Sequence, residues 1–99
     1  MSNVTFNEVK EKNLKTLEQY VPVVARVHGD SHPEFHEVHK VFITIVSKIK
    51  ESRAERPLLL EEFKKLREIT DSYKIPEGVC ESYEAVYNML EELDKAYQV

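Results

Sequence analysis

The sequence predicts an all-α protein, an antiparallel up-down four-helix bundle formed as a single domain over residues 1–99. Apolar residues recur in steps of three and four along four segments of the chain. Prolines or glycines separate these segments, and they mark the connections between helices. The chain has only 2 glycines and no tryptophan, which disfavours a turn-rich β fold. Four amphipathic helices with short connections favour antiparallel packing.

The predicted helices cover approximately residues 5–28, 33–53, 57–71 and 78–97. The first begins at a capping box, in which Thr5 is followed three residues later by Glu8. Pro22 interrupts the helical pattern and predicts a kink, because its nitrogen cannot donate a hydrogen bond to the preceding turn. Gly29 predicts the end of this helix.

The second helix is predicted to start at Pro33, with Ser31 and Glu34 at capping-box spacing. Its centre, residues 41–46, is rich in β-branched residues and taken alone is also compatible with a buried strand. The flanking residues keep the helical period and favour a helix. Ile43 then lies away from the apolar stripe, either as a satellite core contact or as part of a dimer face.

The third helix is predicted to begin at Pro57, and residues 70–78 form the longest loop. In the fourth helix, apolar residues follow alternating steps of four and three, the pattern of knobs-into-holes packing. These residues are Val79, Tyr83, Val86, Leu90, Leu93 and Tyr97. Acidic residues predict a solvated face of the same helix: Glu81, Glu84, Glu91, Glu92 and Asp94. Glu61 and Glu62 are expected to form near-neighbour ion pairs with Lys64, Lys65 and Arg67.

Composition and charge exclude several classes of protein. The chain carries 14 basic and 18 acidic residues, a net charge of −4, and has no long basic stretch, so nucleic acid is not an expected partner. No apolar run approaches the roughly 20 residues that a membrane helix needs. The single cysteine, Cys80, cannot form an internal disulfide, and the first residues lack the regions of a signal peptide, so a cytoplasmic location is expected. Cys80 is predicted to be a packed or half-exposed thiol.

Two stretches carry a family resemblance. They are VARVHGDSHPE at residues 24–34, continuing to Phe42, and LREITDSYKIPEGVCESY at residues 66–83, continuing to Leu93. In this order they resemble the hemerythrin-like domain of the iron–sulfur cluster repair di-iron proteins, with one deletion between the second and third helices. The resemblance implies a hemerythrin-like bundle. It also implies an ancestral activity in the repair of damaged iron–sulfur centres, including those attacked by nitric oxide.

The resemblance also implies which residues would bind iron, and most of these positions have lost their ligand. That family holds two iron ions with inward-pointing His and Glu residues from all four helices, since paired cations need several carboxylates and imidazoles. His28 matches the histidine of the family's Val-His-Gly motif. Asn7 occupies the first-helix histidine position, and Ser52 and Arg56 occupy the second-helix positions. The third-helix ligand falls near residues 55–58, which contain no histidine, and the fourth-helix ligands would lie beyond the last residue.

We therefore expect a truncated hemerythrin-like relative of the repair proteins, without a cofactor. It would act as a non-catalytic binding or regulatory bundle with a protein partner or by self-association, for example as a homodimer. No Ser/His/Asp grouping, glycine-rich phosphate loop or spaced pair of cysteines indicates an enzyme. A decayed gene product whose fold persists without a selected function is a further reading of the same loss.

The alternative expectation is a metal-binding protein that takes part in iron–sulfur cluster repair or in the response to nitrosative or oxidative stress. All the histidines of the chain fall between residues 28 and 39. Iron could use His28, or a single Zn²⁺, Ni²⁺ or Cu²⁺ ion could bind within the histidine cluster, because His-x-x-x-His spacing places two imidazoles on one side of a helix. The candidate metal ligands are His28, His32, His36 and His39.

Overall fold

The computed structural model describes residues 5–52 and 57–98, and these residues form four α-helices that pack against one another. The helices are α1 (Phe6–His28), α2 (Glu34–Glu51), α3 (Leu60–Thr70) and α4 (Glu81–Gln98). The described residues contain no β-strand, so the predicted all-α class and helical bundle are confirmed. Residues 41–46 lie within α2, and the strand interpretation of that segment is wrong.

The start of α1 has the predicted cap. The Thr5 hydroxyl accepts a hydrogen bond from the backbone N–H of Glu8, with an O···N distance of 3.1 Å. This bond satisfies one of the amide groups that the first turn of a helix leaves unpaired. The helix then continues through Pro22 as a single element up to His28.

Gly29 ends α1 as predicted, although for a different reason. Its N–H donates to the carbonyl of Ala25 at 3.0 Å, but its φ of −59° lies in the right-handed region, which any residue can adopt. A Cβ atom at this position would collide with the imidazole Nε2 of His36 and with the carbonyl oxygen of Ala25. Glycine is favoured here mainly because the Ala25 carbonyl oxygen, a fixed backbone atom of the last turn of α1, occupies the space that a Cβ would need.

The cap predicted for the start of α2 is wrong. Pro33 is the N-cap residue, and no side chain caps the helix, so Ser31 does not form the predicted capping box. The Glu34 carboxylate instead lies 3.2 Å from Nδ1 of His32. Glu34 is thus paired with the His32 side chain and not with the Ser31 position, as the capping-box spacing had suggested.

The last two helices begin three residues later than predicted. The Tyr97 hydroxyl donates to the carbonyl of Pro57 at 2.6 Å and accepts from the N–H of Leu59 at 2.8 Å. These bonds hold residues 57–59 against α4, so α3 starts only at Leu60. Gly78, with a φ of +78°, forms the turn before α4 and delays its start to Glu81.

The core lies between the apolar faces of the four helices. The start of α1 contacts the end of α4, where the Phe6 and Tyr97 ring centroids are 5.3 Å apart. The end of α1 contacts the start of α4, where the His28 and Tyr83 ring centroids are 5.5 Å apart. Most of the predicted apolar stripe is buried, which confirms the helical period in α2 and α4. The buried members are Phe35, Val38, Phe42, Ile45, Tyr83, Val86, Leu90, Leu93 and Tyr97.

Two predictions for acidic residues are wrong: Asp94 does not lie on a solvated face, and the near-neighbour ion pair predicted for Glu62 is replaced by a pair with Lys48. Asp94 is 3% exposed and accepts hydrogen bonds from Arg67 Nη1 at 2.8 Å and from the Tyr73 hydroxyl at 2.7 Å. Glu62 is 6% exposed and accepts from Lys48 Nζ at 2.8 Å. Because a cation from another helix compensates each carboxylate, both can be buried. Among the described residues, no helix has the length and apolar character needed to cross a membrane.

Candidate functional site

The end of α1 and the start of α4 bring His28 together with Cys80. The imidazole Nε2 lies 3.0 Å from the thiol Sγ, although the two residues are 52 positions apart in the chain. Cys80 is exposed, so the predicted packed or half-exposed thiol is wrong, and His28 is half-buried. The residues next to Cys80 in the sequence include no histidine, so this contact was not predicted. The prediction of an antiparallel bundle did not say which helix ends would meet, so nothing in the local sequence pointed to this contact.

A buried tyrosine supports the imidazole. The His28 ring stands edge-to-face on the ring of Tyr83, with an interplanar angle of 88°. Tyr83 has no exposed surface, and its hydroxyl lies 3.2 Å from that of Tyr87. Burial raises the pKa of both phenols, so both remain protonated at neutral pH. The surface behind the imidazole is therefore buried and uncharged.

The other predicted metal ligands, His32, His36 and His39, each have different contacts and do not form one ligand set with His28. The His32 ring contacts the same Tyr83 ring at 5.4 Å, and its Nδ1 faces Glu34. His36 is exposed, with its Nε2 against Gly29, and His39 is half-buried further along α2. Within residues 5–52 and 57–98, no three His, Cys, Asp or Glu side chains form a group that could hold a metal ion. The metal site at the histidine cluster stays a prediction.

The remaining positions implied by the resemblance supply no further donors near His28. Asn7 is exposed on the first turn of α1, and Ser52 is the half-buried C-cap residue of α2. Arg56 and the start of the 55–58 segment lie outside the described residues. The interior between the helices is filled by apolar side chains, including the fully buried Leu17 and Phe35.

A second feature of the surface is apolar. Tyr20, Val23 and Val27 follow one another in steps of three and four along α1, with exposed fractions of 37%, 46% and 63%. We call these three residues the α1 stripe. Ile43 on α2, predicted to lie away from the core, is 53% exposed.

Comparison of the chain with models of protein families, with curated proteins and with solved structures found no match. The resemblance to hemerythrin-like repair proteins therefore depends on the two sequence stretches quoted above and stays a prediction. The candidate site consists of the exposed thiol of Cys80 in contact with the imidazole of His28, which the Tyr83 ring supports.

Proposed function

We propose that the protein is a non-catalytic binding or regulatory bundle that works without a resident metal and associates with a second copy of itself. The observation that carries this proposal is the α1 stripe. Its three apolar side chains lie next to one another on the helix surface because residues three and four apart face the same side. A contiguous apolar patch is a typical mark of a protein–protein interface.

Self-association is the simplest use of this surface. In a two-fold homodimer the same patch of both subunits meets itself, so an apolar stripe is automatically complementary to its copy. Tyr20 adds an aromatic side chain with a polar hydroxyl, a residue type enriched at interfaces. All three residues of the stripe lie on one helix, which allows two copies of α1 to pack side by side.

The proposed biological setting comes from the sequence resemblance. We infer a hemerythrin-like up-down bundle that belongs to iron–sulfur repair or to the nitrosative-stress response. The contacts between opposite ends of α1 and α4 support this topology. A retained scaffold with vacated ligand positions supports a binding role in place of di-iron chemistry.

Sedimentation of the purified protein tests the proposed association. We expect the natural chain to form dimers as its concentration rises. Replacing both valines of the stripe, Val23→Glu with Val27→Glu, should raise the dissociation constant at least about tenfold, because two buried carboxylates would then face each other. Lys15→Glu is the matched control, since it adds negative charge to an exposed position of the same helix.

Two results would contradict the proposal. The natural chain could remain a strict monomer at the highest concentration tested. Alternatively, Lys15→Glu could weaken association as much as the double replacement, which would indicate a general charge effect. Circular dichroism of each variant establishes that the helices are retained.

A further inference from the structure

We propose that Cys80 is a reactive thiol with His28 as its base, and that this pair exchanges with low-molecular-weight disulfides. The inference goes beyond the proposed binding function and does not depend on self-association. It starts from the 3.0 Å separation of Nε2 and Sγ. At this distance the imidazole tautomer that carries its proton on Nδ1 accepts the thiol hydrogen directly.

The pair is assembled by the fold. His28 is the last residue of α1, and Cys80 immediately precedes α4, so their contact requires these two helix ends to meet. The Cys80 carbonyl accepts a hydrogen bond from the N–H of Glu84 at 3.2 Å, which fixes its backbone to the first turn of α4. The Tyr83 ring fixes the other partner by its edge-to-face contact with the imidazole. A nucleophile and a base held by separate helices form the arrangement used to activate thiols.

The sulfur is also accessible. Cys80 is exposed, so a small disulfide can approach the sulfur from solvent while the imidazole contacts it from the protein side. Thiol–disulfide exchange needs this access as well as a means of removing the thiol proton. The structure combines both requirements at one position.

The chemical step is balanced without any further reactant. His28 Nε2 takes the thiol proton, and the Cys80 sulfur attacks one sulfur of the disulfide. A new bond forms between Cys80 and that sulfur as the original sulfur–sulfur bond breaks. The leaving thiolate then takes the proton from the imidazolium and departs as a thiol. The small disulfide is the oxidant, and it is reduced as Cys80 is oxidised to a mixed disulfide.

The chain contains a single cysteine, so no internal thiol can resolve the product. Exchange therefore stops at the mixed disulfide until an external thiol reverses it. The reaction is thus suited to reversible modification of Cys80 and not to turnover of a substrate.

The rate of reaction of Cys80 with 5,5′-dithiobis(2-nitrobenzoate) at neutral pH tests the proposal, because this reagent is itself a small disulfide. We expect His28→Gln to slow the reaction roughly tenfold, since the amide can accept a hydrogen bond but is too weak a base to remove the proton. His28→Ala should slow it to a similar extent. His39→Ala, which removes an imidazole outside the pair, should leave the rate unchanged.

The same four proteins measured in concentrated urea provide the reference for an unsupported thiol. Their rates should converge there, because the pair exists only in the folded chain. Formation of the mixed disulfide with oxidised glutathione, detected by mass spectrometry, should show the same order of rates among the folded proteins. The proposal is overturned if His28→Gln reacts as fast as the natural chain, or if His39→Ala slows the reaction equally.

Discussion

At the scale of single residues, the pKa of the Glu62 carboxyl group is determined by opposing influences. It is 6% exposed; its Oε2 accepts from Lys48, while its Oε1 has no hydrogen-bond partner among the described residues. Burial by itself would raise the pKa of this carboxyl group. The hydrogen bond from Lys48, a backbone hydrogen bond and the charges of Lys48 and Lys65 outweigh burial and lower the pKa below its ordinary value of 4.5.

This lowered pKa predicts a pH-dependent contribution to stability. A carboxyl group with a lower pKa in the folded state stabilises the fold fully above its unfolded pKa and loses that contribution as the pH falls through the folded value. Glu62→Gln keeps the shape of the side chain but removes the titration. We expect the difference in unfolding free energy between the natural chain and this variant to be largest at neutral pH and to shrink below about pH 4.

Urea unfolding at neutral pH and at about pH 3 measures this difference. Glu61→Gln is the control, because Glu61 is the exposed neighbour on the same helix and its replacement should change stability by less than about 0.5 kcal/mol. A difference for Glu62→Gln that is constant with pH, or that grows on acidification, would show that the buried ion pair does not behave as described.

At the scale of elements, the connection between α3 and α4 contains an unusual turn. Asp71, Ser72 and Tyr73 have φ values of 53°, 59° and 65°, in the left-handed region. Each such non-glycine residue costs on the order of 1 kcal/mol, so other interactions must hold the turn. The Thr70 hydroxyl accepts from the N–H of Tyr73 at 2.8 Å, and the Tyr73 hydroxyl donates to Asp94 on α4.

Asp94 is thus the anchor that joins the turn, α3 and α4. We expect Asp94→Ala to lower the unfolding free energy by about 2–3 kcal/mol, because Arg67 and the buried Tyr73 hydroxyl would lose their acceptor. The value lies at the lower end for a buried ion pair, since the Arg67 side chain is 38% exposed. Urea unfolding measures the loss.

Glu91→Ala is the matched control for this prediction. Glu91 lies on the same helix, and its carboxylate is 3.8 Å from Lys95 in an i,i+4 pair, a type worth roughly 0.5 kcal/mol. Tyr73→Phe should cost less in the Asp94→Ala background than in the natural chain, because the hydroxyl has already lost its acceptor. The anchoring role of Asp94 would be contradicted if Asp94→Ala and Glu91→Ala lowered the unfolding free energy equally. It would also be contradicted if the effects of Asp94→Ala and Tyr73→Phe on that free energy were fully additive.

The helices could be predicted from the sequence because their apolar spacing is local, as in α4 from Tyr83 to Tyr97. Their exact starts could not, because the start of α3 depends on a hydrogen bond from Tyr97 to Pro57, 40 residues earlier in the chain. The candidate site could likewise be predicted only in part. The histidine cluster is visible in the sequence, whereas the contact of His28 with Cys80 exists only after α1 and α4 pack together.

The burial of two carboxylates could not be predicted from the sequence, for a related reason. Asp94 follows Glu91 and Glu92 on a helix, a pattern typical of a solvated face. Its burial depends on Arg67, which comes from another helix. The same holds for Glu62 and its partner Lys48 on α2. A local charge pattern cannot show which carboxylates a distant cation will compensate.

At the scale of the whole molecule, the side chains that fill the interior determine what the bundle can hold. Leu17, Phe35 and Leu90 are fully buried, and the buried carboxylates Glu62 and Asp94 are already paired with cations. A pair of iron ions needs several free carboxylates and imidazoles that point to one place. The described interior offers apolar surface and compensated charge instead.

We therefore expect the protein, purified without an affinity tag and exposed to ferrous iron before desalting, to retain far less than one iron per chain. Elemental analysis measures this, and His28→Ala should leave the result unchanged because no further donors are assembled around that imidazole among the described residues. His39→Ala is the control for unspecific binding by surface histidines. Near-stoichiometric iron that is lost in His28→Ala and kept in His39→Ala would show that the bundle still assembles a metal site around the imidazole of His28. It would also contradict the proposal that the bundle works without a resident metal, and an imidazole that coordinates iron through Nε2 could not at the same time accept the proton of Cys80.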